Sequence, residues 1–160
     1  MKRSLVQMAA MAALAMMPAG VTGAAPNPLV GAWAVDRFVD MPEGEKPVYP
    51  FGEKPVGLFI FTADGHFSFN VMGAPGGGDA SGGRVGWTPA SYVSYFGTYR
   101  YDPAGSSWTA QVMGGNVPGY TGTSQTRGFK LVGKVLTISA TAQENGRTIR
   151  VERVLHKIDR

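Results

Sequence analysis

From residue 29 onward the apolar positions recur at short intervals, mostly every second residue, between turn-forming clusters of Gly, Pro, Asn and Asp. The segment Val56–Thr62 is apolar at nearly every position, and after Ala63-Asp64-Gly65 the segment His66–Met72 sets polar His66, Ser68 and Asn70 against apolar Phe67, Phe69 and Val71. A period of two with an Asp-Gly pair between the runs predicts a β-hairpin, and Asp-Gly suits the left-handed residues of a type I′ turn. The doubly apolar partner predicts a strand interior to its sheet.

The same signals divide the rest of the chain. Pro26-Asn27-Pro28 reads as an extended lead-in, and Leu29–Val39 as a first strand with Gly31, Trp33 and Val35 on one face. Met41–Lys54 is a loop rich in Pro, Gly and charge, with Val48-Tyr49-Pro50 as an edge segment. Later strands are expected over 94–101, 107–113, 124–132, 135–140 and 148–155, with Asp102-Pro103-Ala104-Gly105, Gly133-Lys134 and Glu144-Asn145-Gly146 as turns. Arg127, Phe129 and Leu131 fall on one face of the 124–132 strand. Seven of the fourteen residues from Gly73 to Gly86 are glycine, which predicts a long connection of the kind that often covers a binding site. Thr88-Pro89 then suits one short helical turn. About eight consecutive strands without a sustained helical period predict an all-β fold, an antiparallel, roughly eight-stranded up-and-down barrel, with a two-sheet sandwich as the alternative.

The first 24 residues stand outside this pattern. Lys2-Arg3, a small and apolar run from Leu5 to Met17 and small residues up to Ala24 have the three-part form of a secretory signal peptide. Cleavage after Gly23 or Ala24 both fit. An apolar run of about 13 residues is too short to span the bilayer as a helix. The expected organisation is a signal peptide over 1–24 and one domain over 25–160, located in the periplasm or secreted, with no stable membrane insertion after cleavage.

Composition narrows the chemistry. There is no cysteine, so an exported domain must rest on burial alone and thiol nucleophiles and thiolate metal sites are excluded. The net charge of +4 halves when Lys2 and Arg3 leave, and the remaining Lys and Arg are scattered rather than gathered on one face, which argues against nucleic acid. The Gly-rich run lacks the Gly-Lys-Ser/Thr ending of a phosphate loop. Only His66 and His156 could serve as imidazole ligands, and neither has ligand-spaced companions, so no metal and no cofactor is assigned. Asp64 beside His66 is more simply a turn residue than part of a catalytic triad.

The polar residues with functional potential are those that an apolar barrel interior would have to satisfy: Tyr95, Tyr99, His66, Asn70 and Arg127, with Phe129 beside the last, and with Ser68 and Tyr101 as further members of the set. Arg127 is the sharpest of these. Pointing inward, it would be satisfied bidentately by a carboxylate, enolate or phenolate; the alternative is that it bonds Glu152, Asp36 or backbone carbonyls and closes a barrel end. Which faces of the Tyr99 strand point inward is open, since one residue of register reverses them.

Several stretches together resemble the lipocalin-like domain family of small bacterial and fungal proteins: Leu29–Trp33, Tyr49-Pro50-Phe51-Gly52, Gly57–Gly65, Tyr95-Phe96-Gly97-Thr98-Tyr99, Arg127-Gly128-Phe129 and Glu152-Arg153-Val154. The chain departs from that pattern in its Gly-rich stretch, where the family has a longer helical insertion, and at Val151, where it often has Trp. The resemblance implies a β-barrel over nearly the whole mature chain. Gly31-Ala32-Trp33 is also similar to the Gly-x-Trp start of true lipocalins, which implies a structural Trp33 packed inside one barrel end under an arginine from the last strand, here Arg153.

An eight-stranded barrel has room for one small ligand, so the expected function is binding of a small apolar or weakly acidic molecule in the interior of an exported monomer or weak dimer. Two other readings fit the same residues. One is a cofactor-independent isomerase or cyclase that uses Tyr99 or His66 as acid or base and Arg127 as anion stabiliser. The other is a barrel filled with its own side chains, with a structural or interaction role.

Overall fold

The computed structural model describes residues 26–74, 92–144 and 146–159. The candidate signal peptide, most of the Gly-rich run and the expected helical turn at Thr88–Ser91 lie outside them. Eight strands follow in order: β1 (Gly31–Pro42), β2 (Val56–Phe61), β3 (His66–Met72), β4 (Tyr92–Asp102), β5 (Ser107–Gly115), β6 (Ser124–Val132), β7 (Val135–Glu144) and β8 (Arg147–Lys157). Each pairs antiparallel with its neighbours, and β8 returns to β1, so the sheet is a closed barrel rather than a sandwich. Closure gives every strand two partners and leaves no sheet edge.

The alternation along each strand decides what enters the barrel. Opposite pairs such as Phe59↔Phe69, Phe69↔Tyr95, Tyr99↔Ala110, Trp108↔Arg127, Phe129↔Ile138 and Ile138↔Arg153 carry one inward face around the ring. β3 keeps the predicted alternation, with Phe67, Phe69 and Val71 buried and His66, Ser68 and Asn70 on the outer side. On β2 the outward Leu58 and Ile60 are half-buried.

Three local features differ from the sequence reading. The β2–β3 connection is not a type I′ turn: Gly65 has φ 87°, whereas Asp64 keeps a negative φ. The Gly65 N–H bonds the Thr62 carbonyl and the Thr62 N–H bonds that of His66, so a type I turn is closed by a left-handed glycine, and the Thr62 hydroxyl bonds the Asp64 carboxylate. Residues 26–30 are also more than an extended lead-in. Asn27 Oδ1 accepts from Leu29 N at 3.1 Å, Asn27 Nδ2 donates to the Tyr99 hydroxyl at 2.8 Å, and Leu29 is fully buried, so this turn plugs one barrel end.

The third difference is a bulge in β1. Its pairing with β8 slips between Val35 and Arg37, leaving Asp36 as the extra residue. Before the bulge odd positions point inward; beyond it Phe38 and Asp40 do. Arg153 therefore meets Phe38 and not Trp33, with its guanidinium carbon 3.3 Å from the Phe38 ring centre. Trp33 pairs with Lys157, whose ammonium lies 5.1 Å from the indole and donates to the Val30 carbonyl at 3.0 Å. Gly31 makes the space, since a Cβ there would stand 3.0 Å from Lys157 Cε. The expected structural stack of Arg153 on Trp33 is thus replaced by a lysine four residues further along β8. Trp33 itself is fully buried and donates from Nε1 to the Leu29 carbonyl at 2.7 Å.

Candidate functional site

The two ends of the barrel are built differently. The end that carries residues 26–30 and the tight β2–β3, β4–β5 and β6–β7 turns is packed with Leu29, Trp33, Phe61, Phe67, Leu136 and Leu155. Phe61 meets Tyr99, Phe69 and Trp108 edge-on with ring centres 5.0 to 5.3 Å apart, an arrangement that adds to the area they bury. Towards the other end, reached by the β1–β2 and β5–β6 connections, the side chains shorten to Val71, Ala140, Ala142 and Val151, and a cavity of about 280 Å³ remains. Phe69 and Trp108 form its floor side, while Pro50 and Phe51 from one loop and Val117 and Tyr120 from the other lean over it.

This cavity is apolar with a small polar group set into it. Asp40 Oδ1 lies 2.8 Å from Arg153 Nη2, an ion pair without the angle of a hydrogen bond, and Arg153 Nη1 donates to the carbonyls of Val39 at 2.6 Å and Glu152 at 3.1 Å. Burial lowers the pKa of Arg153, and the Asp40 charge opposes that shift. Arg127 Nη2 donates to Gln125 Oε1 at 2.7 Å and Nη1 to the Thr126 carbonyl at 3.1 Å. Tyr95 packs on Phe69 and Tyr120, and burial pushes its phenol up to about 12 against the pull of Arg127 and Arg153. It is therefore a neutral hydroxyl at ordinary pH. The Trp108 indole N–H is buried and has no hydrogen-bond partner among the described residues.

Of the six residues that the sequence offers as ligand contacts, Arg127 and Tyr95 line the cavity and the other four do not. Tyr99 lies at the plugged end, where its hydroxyl donates to the Thr62 carbonyl at 3.0 Å and accepts from Asn27; burial raises its pKa. His66 stands outside the wall, exposed, with Nδ1 3.1 Å from Asp64 Oδ1. Asn70 is outward as well, accepting from the hydroxyls of Tyr92 at 2.9 Å and Ser94 at 2.8 Å. Phe129 points inward but packs on Tyr101, 5.9 Å between ring centres, away from the cavity. The acid or base candidates Tyr99 and His66 are thus separated from Arg127. The carboxylates weighed as partners of Arg127 are engaged elsewhere, Glu152 with Arg37 and Asp36 with His156; the backbone-carbonyl alternative is met in part, through Thr126.

Among the cavity residues that the sequence does not offer as ligand contacts are Phe38, Asp40, Trp108 and Tyr120. Trp108 was open to inference, since it shares one strand face with Ala110 and Val112 and alternates with Thr109 and Gln111. Phe38 and Asp40 depend on the β1 bulge, and Tyr120 on how a loop folds back, neither of which has a local signal here.

No curated protein and no solved structure matches the chain. A family model described as a lipocalin-like domain matches residues 30–156, which run from the residue before β1 to the penultimate residue of β8. With that match and a closed eight-stranded antiparallel barrel, the chain belongs to the lipocalin-like domain family.

Proposed function

We propose that this is an exported lipocalin-like protein that binds one small, largely apolar molecule inside its barrel. The observation that carries the reading is the cavity of about 280 Å³, lined by Phe38, Phe69, Val71, Val93 and Ile138 and set with a few polar groups. Ligand sites are typically concave and mostly apolar, with a few placed polar groups that orient the ligand. A barrel with only a structural role would have no reason to leave this space, because an empty apolar void forfeits contacts along its whole lining. Export is supported by the signal-like first 24 residues, and a domain without cysteine is compatible with any redox compartment.

The test is a titration with a neutral, environment-sensitive fluorophore of matching size, 1-aminonaphthalene, against the wild-type protein and Ala140→Phe, which places a ring in the cavity. Saturable, one-site blue-shifted emission that the variant abolishes is expected. Emission unchanged by the protein, or unchanged by the substitution, would refute binding in the interior.

A further inference from the structure

The charges around the cavity do not cancel. Its described lining holds two guanidiniums, Arg127 and Arg153, and one carboxylate, Asp40. Asp40 is committed to Arg153, whose remaining bonds go to backbone carbonyls. Arg127 pairs with no carboxylate among the described residues and donates only to a neutral amide oxygen and a peptide carbonyl. Such acceptors satisfy hydrogens without compensating charge, so a cation facing an apolar space is left to attract an anion.

A buried indole stands beside it. Trp108 is directly opposite Arg127 in the β5–β6 ladder, and side chains so paired lie about 5 Å apart at Cβ. Its indole is 2% exposed and its N–H has no acceptor among the described residues. Beside the Asp40–Arg153 pair, the uncompensated cation and the apolar lining around it call for one complement, an oxygen anion on an apolar body.

We propose that the ligand is a weak organic acid bound as its anion, with a carboxylate or phenolate oxygen held by Arg127 and its apolar part against Phe69, Trp108, Val71 and Ile138. The assignment rests on the cavity being the binding site, as argued above. It makes Arg127 the charge-selecting residue and leaves Arg153 as the structural one. The cavity bounds the size: an apolar void of about 150 Å³ holds one benzene, so this one suits a body of about two fused rings.

The probes are therefore 2-naphthoate and its neutral isostere 2-acetylnaphthalene, compared by isothermal titration calorimetry at pH 7 on the full mature protein. Naphthoate should bind at least about tenfold more tightly than the ketone, the scale of a charge-assisted pair over a neutral one. Arg127→Gln should bring the two affinities within about twofold, chiefly by weakening naphthoate. Naphthoate binding no tighter than the ketone in the wild-type protein overturns the anion assignment, with the cavity still standing as the site; this comparison needs no variant to fold. Saturable binding of neither probe would bring down the cavity reading and the anion assignment together. Equal charge preference in wild type and a folded Arg127→Gln would overturn the role of Arg127.

Discussion

Removing the Asp40 charge tests how the interior tolerates its cations. Asn at position 40 keeps the shape and takes away the only carboxylate on the cavity wall among the described residues. Arg153, with 14% of its side chain exposed, would keep the Val39 and Glu152 carbonyls and the face of Phe38 but lose its counter-charge. At the observed separation of 2.8 Å the gross attraction is about 6 kcal/mol for an effective dielectric of about 20 and about 1.5 kcal/mol in water. The net effect is smaller, because part of that attraction offsets the desolvation of both ions. Breaking a buried pair typically costs about 3 to 5 kcal/mol, and with 28% of the Asp40 side chain exposed the lower end, about 3 kcal/mol, is expected for Asp40→Asn. The double variant Asp40→Asn/Arg153→Met removes the stranded cation and should recover to within about 1 kcal/mol of wild type, since an apolar side chain of similar length can replace an ion pair at little cost. Urea unfolding of wild type, Asp40→Asn, Arg153→Met and the double variant completes the cycle. A loss below about 1 kcal/mol in the single variant, the value of an exposed surface pair, would refute the reasoning, as would a double variant no more stable than Asp40→Asn.

Further outcomes follow from the same packing. Phe69→Ala removes a ring that stacks on Phe59 at 4.0 Å and meets Phe61, Phe67, Tyr95 and Trp108, so a loss of about 3 to 5 kcal/mol is expected in urea unfolding; a loss under about 1.5 kcal/mol would contradict the packed core. The phenol of Tyr95 has a folded pKa raised to about 12 from 10.0, so its contribution is complete below pH 10 and is lost as pH rises towards 12, while the unfolded chain gives up the proton first. Part of Tyr95 faces the cavity rather than bulk water, and the loss should reach about 2 kcal/mol by pH 12; Tyr95→Phe should flatten that share of the alkaline decline in stability. Lys157→Met should shift the tryptophan emission and cost about 1 kcal/mol, whereas Arg153→Met should leave Trp33 emission unchanged, the reverse of what a stack of Arg153 on Trp33 would give. Mass measurement on protein from the export compartment should find chains beginning at Ala24 or Ala25, and only full-length chain in the cytoplasm would refute export.

Most of the strands were legible because their signals are local. β3 and β6 begin and end where alternation and turn residues place them, at His66–Met72 and Ser124–Val132. The inward faces were not legible one strand at a time. Outside β3, they become fixed only when the ladders join, as when Phe69↔Tyr95 settles which side of β4 faces in. Tyr99 shares its strand face with Tyr95 yet lies at the plugged end, because depth along the barrel is set by strand tilt and stagger rather than by alternation. The bulge at Asp36 carries neither Gly nor Pro, so nothing nearby in sequence announces the change of phase that brings Asp40 to the cavity and hands Trp33 to Lys157. Arg127 could be singled out because a cation among Phe129 and Leu131 is conspicuous on an inward face. Its lack of a carboxylate partner could not be, since that depends on Glu152 and Asp36 facing outward, where they meet Arg37 and His156 across the β1–β8 seam.

Native mass spectrometry of the protein purified without denaturation from its own compartment reads occupancy of the barrel without an added probe. A complex heavier than the processed polypeptide by one small organic molecule is expected, released intact on denaturation and absent from Ala140→Phe, which fills the cavity. A protein that appears only at its polypeptide mass, and that takes up none of the aromatic probes at saturating concentration, would contradict binding in the barrel.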